Sequence, residues 1–212
     1  MPPRAEPKGR WIALEGGEGS GKSTQAERLA RALGAVLTRE PGGTPVGTRI
    51  RALLLEPGAD AMDERAEALL MAADRAQSAS VVLLPTLDAG RTVVSDRSAW
   101  SSLAYQGYGR GLDLTDLRRI SDWALRGRWP DLAVLIDVPD GVAEDRLVAA
   151  GRVPDRLEAA GAGFHARVRQ GFIALASAEP ERWARVDGSD GPEAVSARIL
   201  AVVRERLGPS VG

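Results

Sequence analysis

The chain has 212 residues, with 28 Lys or Arg against 29 Asp or Glu, so its formal net charge is −1. This balance argues against nucleic-acid or membrane-surface binding through bulk charge, because such binding needs a local excess of positive residues. The chain has no cysteine, which excludes disulfides, thiolate metal sites and thiol nucleophiles. With His165 as the single histidine, any metal ion is expected to be held by oxygen atoms.

The basic charge is almost entirely guanidinium. Lys8 and Lys22 are the only lysines, so 26 of the 28 basic residues are arginines. The planar guanidinium group binds phosphate or carboxylate through two parallel hydrogen bonds. We therefore expect recognition by individually placed arginines.

The length fits one domain, and the 44% of hydrophobic residues can supply its core. Residues 1–10 are polar and proline-rich, and no apolar run approaches the length of a membrane span. These features predict a disordered tail over 1–10, one domain over 11–207 and a second tail over 208–212. They also predict a cytoplasmic protein without a membrane partner.

Short apolar runs alternate with helical patterns, which is typical of an α/β fold with a parallel sheet. The strands are predicted at 11–14, 35–38, 91–95, 132–138 and 183–186. Two amphipathic helices are predicted to cover the sheet. Their buried stripes are predicted to be Met62, Ala66, Leu69, Leu70, Ala73 and Gln77 in one, and Val195, Ile199, Val202 and Arg206 in the other.

A glycine-rich loop directly follows the first predicted strand and opens a helical pattern through Leu33. It matches the P-loop motif G-x-x-x-x-G-K-[ST], in which backbone N–H groups converge on phosphates. Lys22 is expected to reach the outer phosphates and Ser23 to coordinate magnesium. The residues predicted to bind a nucleoside triphosphate are Gly16, Gly17, Glu18, Gly19, Ser20, Gly21, Lys22, Ser23 and Thr24.

The kind of P-loop protein is narrowed by what the chain lacks. A GTPase reads its base through an Asn-Lys-x-Asp motif, and this chain contains no asparagine. A mechanical ATPase normally needs a longer chain. The length and the many arginines favour a small phosphoryl-transfer kinase.

Further motifs follow the loop in order. They are REPGGT at 39–44, DRAQ at 74–77, SDR at 95–97, SLAYQG at 102–107, DRLE at 155–158 and FHARVRQGF at 164–172. In this order and spacing they resemble the thymidylate kinase family over nearly the whole folded chain. The resemblance implies a P-loop NTPase fold, with a five-stranded parallel sheet, helices on both faces and a short lid. It also implies a homodimer that uses ATP and Mg²⁺ to convert dTMP to dTDP.

Several residues gain expected roles at the acceptor phosphate. The carboxyl ends of parallel strands share one edge of the sheet, so Arg39 and Arg97 should both reach it and clamp the acceptor phosphate. Asp96 is placed to hold the magnesium shell together with Ser23. By resemblance, Glu18 should lie near the sugar 3′-hydroxyl or the metal, and Pro41 should belong to the dTMP site.

Base recognition is expected from two helices. Arg75 can donate to O4 of thymine, where cytosine presents a donor instead. Met71 stands where many relatives carry a phenylalanine that stacks on the base. By resemblance, Ser102 lies near the base, and Tyr105 lies near the sugar 2′ position, where it would obstruct a ribose hydroxyl.

Residues 148–163 are rich in glycine, alanine and arginine, which predicts a mobile lid. The family supplies a catalytic arginine either from the P-loop or from the lid, and this P-loop has none. Arg152 and Arg156 are therefore the candidates, with Arg146 in support. Asp187, Gly188 and Ser189 lie where relatives approach adenine.

Three positions near the acceptor pocket depart from the family pattern: Met71, Ser78 and Ser98 are smaller or softer than usual. Three alternatives therefore stay open. Instead of a dTMP kinase, the chain would be a monophosphate kinase with another preferred acceptor such as dUMP, a different P-loop small-molecule kinase, or a nucleotide-binding regulator without catalytic activity.

Overall fold

The five predicted strands lie side by side in one parallel sheet. This computed structural model describes residues 9–56, 62–151, 153–208 and 211. The strands are β1 (Trp11–Glu15), β2 (Val36–Arg39), β3 (Val93–Asp96), β4 (Leu132–Asp137) and β5 (Trp183–Asp187), in the order β2-β3-β1-β4-β5. The predicted α/β fold is thus confirmed, and every strand begins or ends within two residues of its predicted limits.

The connections between the strands are largely helical. The α-helices are α1 (Lys22–Leu33), α2 (Pro45–Leu55), α3 (Glu64–Ser78), α4 (Leu84–Asp88), α5 (Ala99–Ser102), α6 (Leu114–Leu125), α7 (Asp140–Ala150), α8 (Ala162–Ala178) and α9 (Pro192–Leu207). Two π-helical segments continue α3 and α5, at Ala79–Leu83 and Leu103–Gly109, and a 3-10 turn lies at Glu158–Ala160. No helix in the described ranges has the length and apolarity needed to cross a bilayer.

Alternate residues of the strands face two different cores, because successive side chains of a strand point to opposite faces. On one face, Ile12, Leu14, Val134 and Ile136 pack against the apolar residues of α1 and α9. On the other face, Ala133 and Leu135 pack with residues of α5, α6 and α8, and Trp11 and Val93 pack against Leu83 and Leu87. Helices therefore cover both faces of the sheet, as predicted.

The prediction for the face that α3 buries was wrong. Leu69 is 57% exposed, and Ala73 is exposed as well. The buried side of the helix carries instead Glu67, Ala68, Ala72, Asp74, Arg75 and Ser78. Hydrophobic periodicity failed here because α3 packs against α2 and α6. Its charged side chains Glu67 and Arg75 are buried because they form ion pairs with residues outside α3. For α9 the prediction holds at Val195 and Ile199, but Val203 is buried in the place of Arg206.

Both predicted tails are shorter than expected among the described residues. Gly9 is buried and its N–H donates to the carbonyl of Leu87 at 2.9 Å, while Arg10 lies 3.5 Å from the Asp131 carboxylate. At the other end, Val211 packs into the core formed with α1 and α9. Residues 1–8, 209, 210 and 212 lie outside the described ranges.

The topology brings the loops that carry polar motifs to one edge of the sheet. Arg39 of β2 and Leu14 of β1 are both in register with Asp96 of β3. The P-loop that follows β1 therefore lies between the ends of β3 and β4. In parallel α/β sheets, ligands bind at this carboxyl edge.

Candidate active site

A cleft of about 370 Å³ opens at the carboxyl edge of the sheet, a volume within the range of ligand-binding pockets, roughly 300–1,000 Å³. Its wall contains eleven residues predicted from the sequence: Glu18, Lys22, Ser23, Arg39, Pro41, Met71, Arg75, Asp96, Arg97, Ser102 and Tyr105. It also contains Ser98, which was expected near the acceptor pocket, and residues to which sequence reasoning gave no role: Glu40, Arg51, Leu55, Asp74, Ser101, Gln106, Asp155, Leu157 and Glu158.

The P-loop begins this site. Gly16 and Gly19 have φ angles of 151° and 72°, which side chains rarely allow, and a Cβ atom on Gly19 would lie 2.4 Å from the carbonyl oxygen of Ala143. Glycine is therefore required for the turn into α1. At the start of α1, Lys22 Nζ donates to the carbonyl of Gly17 at 3.2 Å and to Glu18 Oε2 at 3.4 Å. Burial lowers the pKa of Lys22, with Arg97 adding to the effect and Glu18 opposing it.

Ser23 and Asp96 meet beside the loop as the sequence predicted. The Ser23 hydroxyl donates to Asp96 Oδ2 at 2.5 Å. The other oxygen, Asp96 Oδ1, is buried and has no hydrogen-bond partner in the described part of the chain. A hydroxyl and a carboxylate with a free oxygen are the hard donors that Mg²⁺ prefers, so these residues fit the ion. No group of three His, Cys, Asp or Glu side chains forms a metal site among the described residues.

Arg97, at the end of β3, is held by several hydrogen bonds. Its Nη2 donates to Glu18 Oε1 and, at 2.8 Å, to the Tyr105 hydroxyl, which in turn donates to Glu18 at 2.8 Å. Its Nη1 donates to the carbonyl of Gly16 at 3.2 Å. Burial alone would raise the pKa of Glu18, but Lys22 and Arg97 outweigh it and hold the pKa well below its usual range. The backbone of Arg97 has a φ of 72°, an uncommon conformation for a non-glycine residue that costs about 1 kcal/mol or more.

Glu15 is linked to Arg97 through Ser101. Its carboxylate is fully buried and accepts hydrogen bonds from the hydroxyls of Ser98 and Ser101, each at 2.6 Å. Ser101 in turn accepts from Arg97 Nη1 at 3.1 Å. Burial raises the pKa of Glu15 to about 7, against the lowering effect of the two serines and Arg97. Ser98, which departs from the family pattern, therefore supplies one of the two hydroxyls that bond to Glu15.

Arg75 also lines the cleft and is only 2% exposed. Its Nε donates to Glu40 Oε2 at 3.0 Å, its Nη2 to Ser102 at 2.9 Å and its Nη1 to Ser121 at 3.3 Å. Burial raises the pKa of Glu40 to about 7, although Arg75 opposes this. Ser102, expected near the base, thus holds the guanidinium that is expected to read the base.

Arg39 and Arg51 line the cleft without an ion-pair partner in the described ranges. Arg51 Nη1 donates to the carbonyl of Pro41 at 3.0 Å. Burial lowers the pKa of Arg51, and the like charge of Arg39 lowers it further. Two neighbouring guanidinium groups of this kind favour an anion in the cleft, as Arg97 does on the side of the P-loop.

Besides Asp96 Oδ1, two buried polar atoms in the cleft wall lack partners in the described part of the chain: Asp74 Oδ2 and Gln106 Oε1. Asp74 Oδ1 accepts from the N–H of Gly42 at 2.9 Å, and burial raises the pKa of this acid. Gln106 Nε2 donates to Glu67 at 2.8 Å. Gln106 stood in the SLAYQG motif, which could have indicated it, whereas no sequence pattern pointed to Glu67.

The lid is shorter than predicted, because α7 extends to Ala150 and α8 begins at Ala162. Arg156 does not line the cleft. Its Nη2 lies 2.7 Å from Glu67 Oε2 and its Nε donates to the carbonyl of Leu54 at 2.8 Å, so it attaches the lid to α2 and α3. This placement does not direct Arg156 at a phosphate, contrary to the role expected from the sequence. Arg152, the other candidate, lies outside the described residues.

A second depression lies on the far side of the P-loop. Its wall includes Ser20, Gly21 and Thr24 together with Arg146 and the segment 188–192. Arg146 donates to the carbonyls of Gly19, Gly188, Ser189 and Asp190 at 2.9–3.4 Å. The loop after β5 and the P-loop are thereby tied together. The cleft and this depression flank the same loop.

A parallel sheet with an anion-binding loop after its first strand, and an arginine-lined cleft beside that loop, defines a nucleotide-binding protein of the P-loop class. The family model described as thymidylate kinase matches residues 14–199. The chain is 47% identical over 204 residues to the thymidylate kinase of Deinococcus radiodurans, covering 94% of this chain and 98% of that protein. It is 46% identical to that of a Synechococcus species (93% and 95%) and 48% identical to that of Leifsonia xyli (90% and 92%). The chain belongs to the thymidylate kinase family.

We expect Glu15→Gln to change how the stability of the protein depends on pH. The pKa of this carboxyl rises from 4.5 to about 7 on folding, so between these values the folded state holds one more proton than the unfolded state. As the pH rises through this range, the free energy of unfolding of the protein should therefore fall by ~1.4 kcal/mol per pH unit because of this group. The decline should level off above pH ~7. The amide of glutamine can still bond to both serine hydroxyls and has no such titration.

Urea unfolding at several pH values between about 5 and 8 tests this expectation. Glu15→Gln should make the decline in stability that wild type shows between pH ~5 and ~7 shallower, and the decline that remains should include the share of Glu40, whose pKa is also raised to about 7. Glu27→Gln, an exposed change on α1, is the control and should keep the wild-type slope. An unchanged slope in Glu15→Gln would contradict the assignment.

Proposed function

We propose that this protein transfers the γ-phosphoryl group of ATP to an oxygen of the dTMP phosphate, which releases ADP and forms dTDP. The observation that carries the proposal is a single cleft whose wall contains Lys22 and Arg97 beside the P-loop together with Arg75 and Gln106. Such a cleft can hold the phosphate and the base of one nucleotide at once. Membership of the thymidylate kinase family supports the same activity.

The acceptor oxygen is already negatively charged, so the reaction needs no general base. Positioning and charge neutralisation are then the main tasks of the protein. Arg97, Arg39 and Arg51 are placed to clamp the acceptor phosphate, and Lys22 with the P-loop amides binds the ATP phosphates. Glu18 forms an ion pair with Arg97. We also propose that Glu18 lies near the sugar 3′-hydroxyl or the metal.

Ser23 and Asp96 would hold Mg²⁺, which supplies charge neutralisation at the ATP phosphates when it is bound. The free Asp96 Oδ1 and the Ser23 hydroxyl support this assignment. Arg146 and the segment 188–190 would border the adenine side of ATP. The cytoplasmic location stays a prediction from the sequence.

Thymine presents an acceptor at O4 and a donor at N3. In this proposal Arg75 would donate to O4 and Gln106 Oε1 would accept from N3–H. Cytosine reverses both groups and would leave two buried groups unpaired. Such mispairing is worth a few kcal/mol in a desolvated site. Met71 offers its thioether to the base face, and Tyr105 would lie near the sugar 2′ position.

A coupled assay with ATP, Mg²⁺ and a panel of dTMP, dUMP, dCMP, dGMP and AMP tests the function. We expect dTMP to give the highest kcat/KM. Lys22→Ala should lower kcat by more than about tenfold, which corresponds to ~1.4 kcal/mol of transition-state stabilisation. Lys8→Ala, at the only other lysine, is the matched control and should keep wild-type activity.

Each contrary outcome points to a different alternative. A higher kcat/KM for another monophosphate would overturn the acceptor assignment. ATP binding without turnover of any acceptor would indicate a nucleotide-binding regulator. Lys22→Ala retaining more than about a tenth of kcat would contradict its role at the outer phosphates.

We also propose that Arg152 supplies the lid charge at the transferring phosphoryl group, because Arg156 is engaged with Glu67. Closure of the lid, predicted over 148–163, would exclude water from the reaction. Arg152→Ala should then lower kcat by about tenfold or more, and Arg156→Ala should lower it less. Steady-state kinetics of both variants, with exposed Arg204→Ala as control, decide this. A larger loss of kcat in Arg156→Ala would contradict it.

We further propose that the protein is a homodimer whose contact face includes α3. Exposed large apolar side chains gather on the adjacent helices α2, α3 and α6 and on the segment that continues α3: Val46, Leu53, Leu69, Val81 and Trp123. Trp123 is 82% exposed and shares a depression with Ala76 of α3. A patch of this kind marks a protein–protein contact more often than a free surface.

Leu69→Glu would bury a charge in this contact and should convert the dimer to a monomer. Sedimentation equilibrium at micromolar concentrations measures the change. Val148→Glu, at a still more exposed apolar position on α7, is the control and should leave the dimer intact. A monomeric wild-type protein, or a Leu69→Glu variant that remains dimeric, would rule out this contact face.

A further inference from the structure

A fully buried carboxylate on α3, Glu67, joins three elements that the proposed reaction uses. Its Oε1 accepts from Gln106 Nε2 at 2.8 Å, and its Oε2 lies 3.1 Å from Arg110 Nη2 and 2.7 Å from Arg156 Nη2. Gln106 and Arg110 lie in and just after the π-helical segment Leu103–Gly109, and Arg156 lies in the lid. One acid therefore connects the cleft wall and the lid.

The contact with Gln106 determines how its amide is oriented. A side-chain amide has a donor end and an acceptor end of nearly equal shape, and an ionised carboxylate can only accept. Burial would raise the pKa of Glu67, but the hydrogen bonds from Gln106, Arg110 and Arg156 outweigh it and lower the pKa. The acid therefore stays ionised, and Gln106 must turn its NH₂ group toward it.

The acceptor end of the amide is consequently left for another partner. Gln106 lines the cleft, and its Oε1 is buried without a hydrogen bond to any described residue. An unsatisfied buried oxygen is unfavourable, and a donor of the ligand can satisfy it. A pyrimidine with N–H at position 3 offers such a donor, and one with a bare nitrogen there does not.

We propose that Glu67 is a positioning residue that sets the base selectivity of the site by fixing Gln106 with its carbonyl oxygen available to the pyrimidine N3–H. This inference rests on the proposed function, since it assumes a pyrimidine monophosphate in the cleft. Glu67 does not touch the base in this arrangement. It acts through Gln106, as Glu40 acts through Arg75 at O4.

Glu67 also binds the lid, through Arg156. Arg156 contacts Glu67 through Nη2, while its Nε and backbone N–H donate to the carbonyls of Leu54 and Leu55 at 2.8 and 3.3 Å. The lid connection is thereby attached to the end of α2 and to α3. Selection of the base and attachment of the lid thus depend on one side chain.

Glu67→Gln tests the proposal, because a neutral amide at 67 can face either end of Gln106 and no longer fixes it. We expect the ratio of kcat/KM for dTMP to kcat/KM for dCMP to fall by about tenfold, equivalent to ~1.4 kcal/mol. This ratio is measured on one preparation, so a loss of folded protein affects both substrates equally. Glu64→Gln, on the exposed first turn of α3, is the control and should keep the wild-type ratio.

A second variant separates positioning from a general loss of structure. In the double variant Glu67→Gln with Gln106→Glu, the side chain at position 106 has only acceptor oxygens, so it again presents an acceptor to the base. The preference for dTMP should therefore return. If Glu67→Gln does not fold, Gln106→Met, which has no amide, should show the same fall in the ratio as expected for Glu67→Gln. An unchanged ratio in Glu67→Gln, or in Gln106→Met, would overturn the inference.

The outcome is distinguishable from a failure of the proposed function. If wild type does not phosphorylate dTMP, the function itself is wrong. If wild type prefers dTMP to dCMP and Glu67→Gln keeps that preference, only the role of Glu67 is wrong.

Discussion

The contact between Arg97 and Glu18 is the interaction on which the rest of the cleft depends. It joins the end of β3 to the P-loop after β1, and it places a guanidinium beside Lys22 and the Ser23–Asp96 pair. Two cations and two acids in so small a volume are stable only because each is hydrogen-bonded, since an unpaired buried charge costs several kcal/mol. Tyr105 completes the contact by bonding to both partners, so the walls proposed to face the sugar and the phosphate are joined in one hydrogen-bonded cluster.

The same rule is repeated along the cleft. Glu40 holds Arg75, Glu67 holds Arg110 and Arg156, and Glu15 holds the serine that accepts from Arg97. None of these acids has to touch a ligand, yet each determines where a ligand-facing group points. Buried pairs of this kind contribute little net stability compared with apolar packing, so their worth lies in orientation. This accounts for the charged buried face of α3.

The sequence was sufficient to predict the sheet and the P-loop because both have strong local signals. Alternating apolar runs mark β1 to β5, and the glycine positions that need positive φ mark the loop. The inward face of α3 could not be predicted, because periodicity assigns burial to apolar residues and Leu69 is exposed whereas Glu67 is not. The contact of Arg156 with Glu67 could not be predicted for a related reason. A motif gives the residue type, but its carboxylate partner lies 89 positions away in the chain, and only the tertiary structure brings the two together.

The division of labour between lysine and arginine follows from these contacts. An arginine fork can bond to several acceptors at once in a fixed plane, which suits Arg75 and Arg97, each of which contacts three side chains. At the P-loop a compact charge is needed that can turn within a ring of backbone amides, and a guanidinium is too large and too rigid for that task. Lys22 meets this need with a single nitrogen that reaches both Gly17 and Glu18. A chain in which nearly all basic residues are arginine therefore has lysine at the position where the proposed function requires phosphate to be bound from within a tight loop.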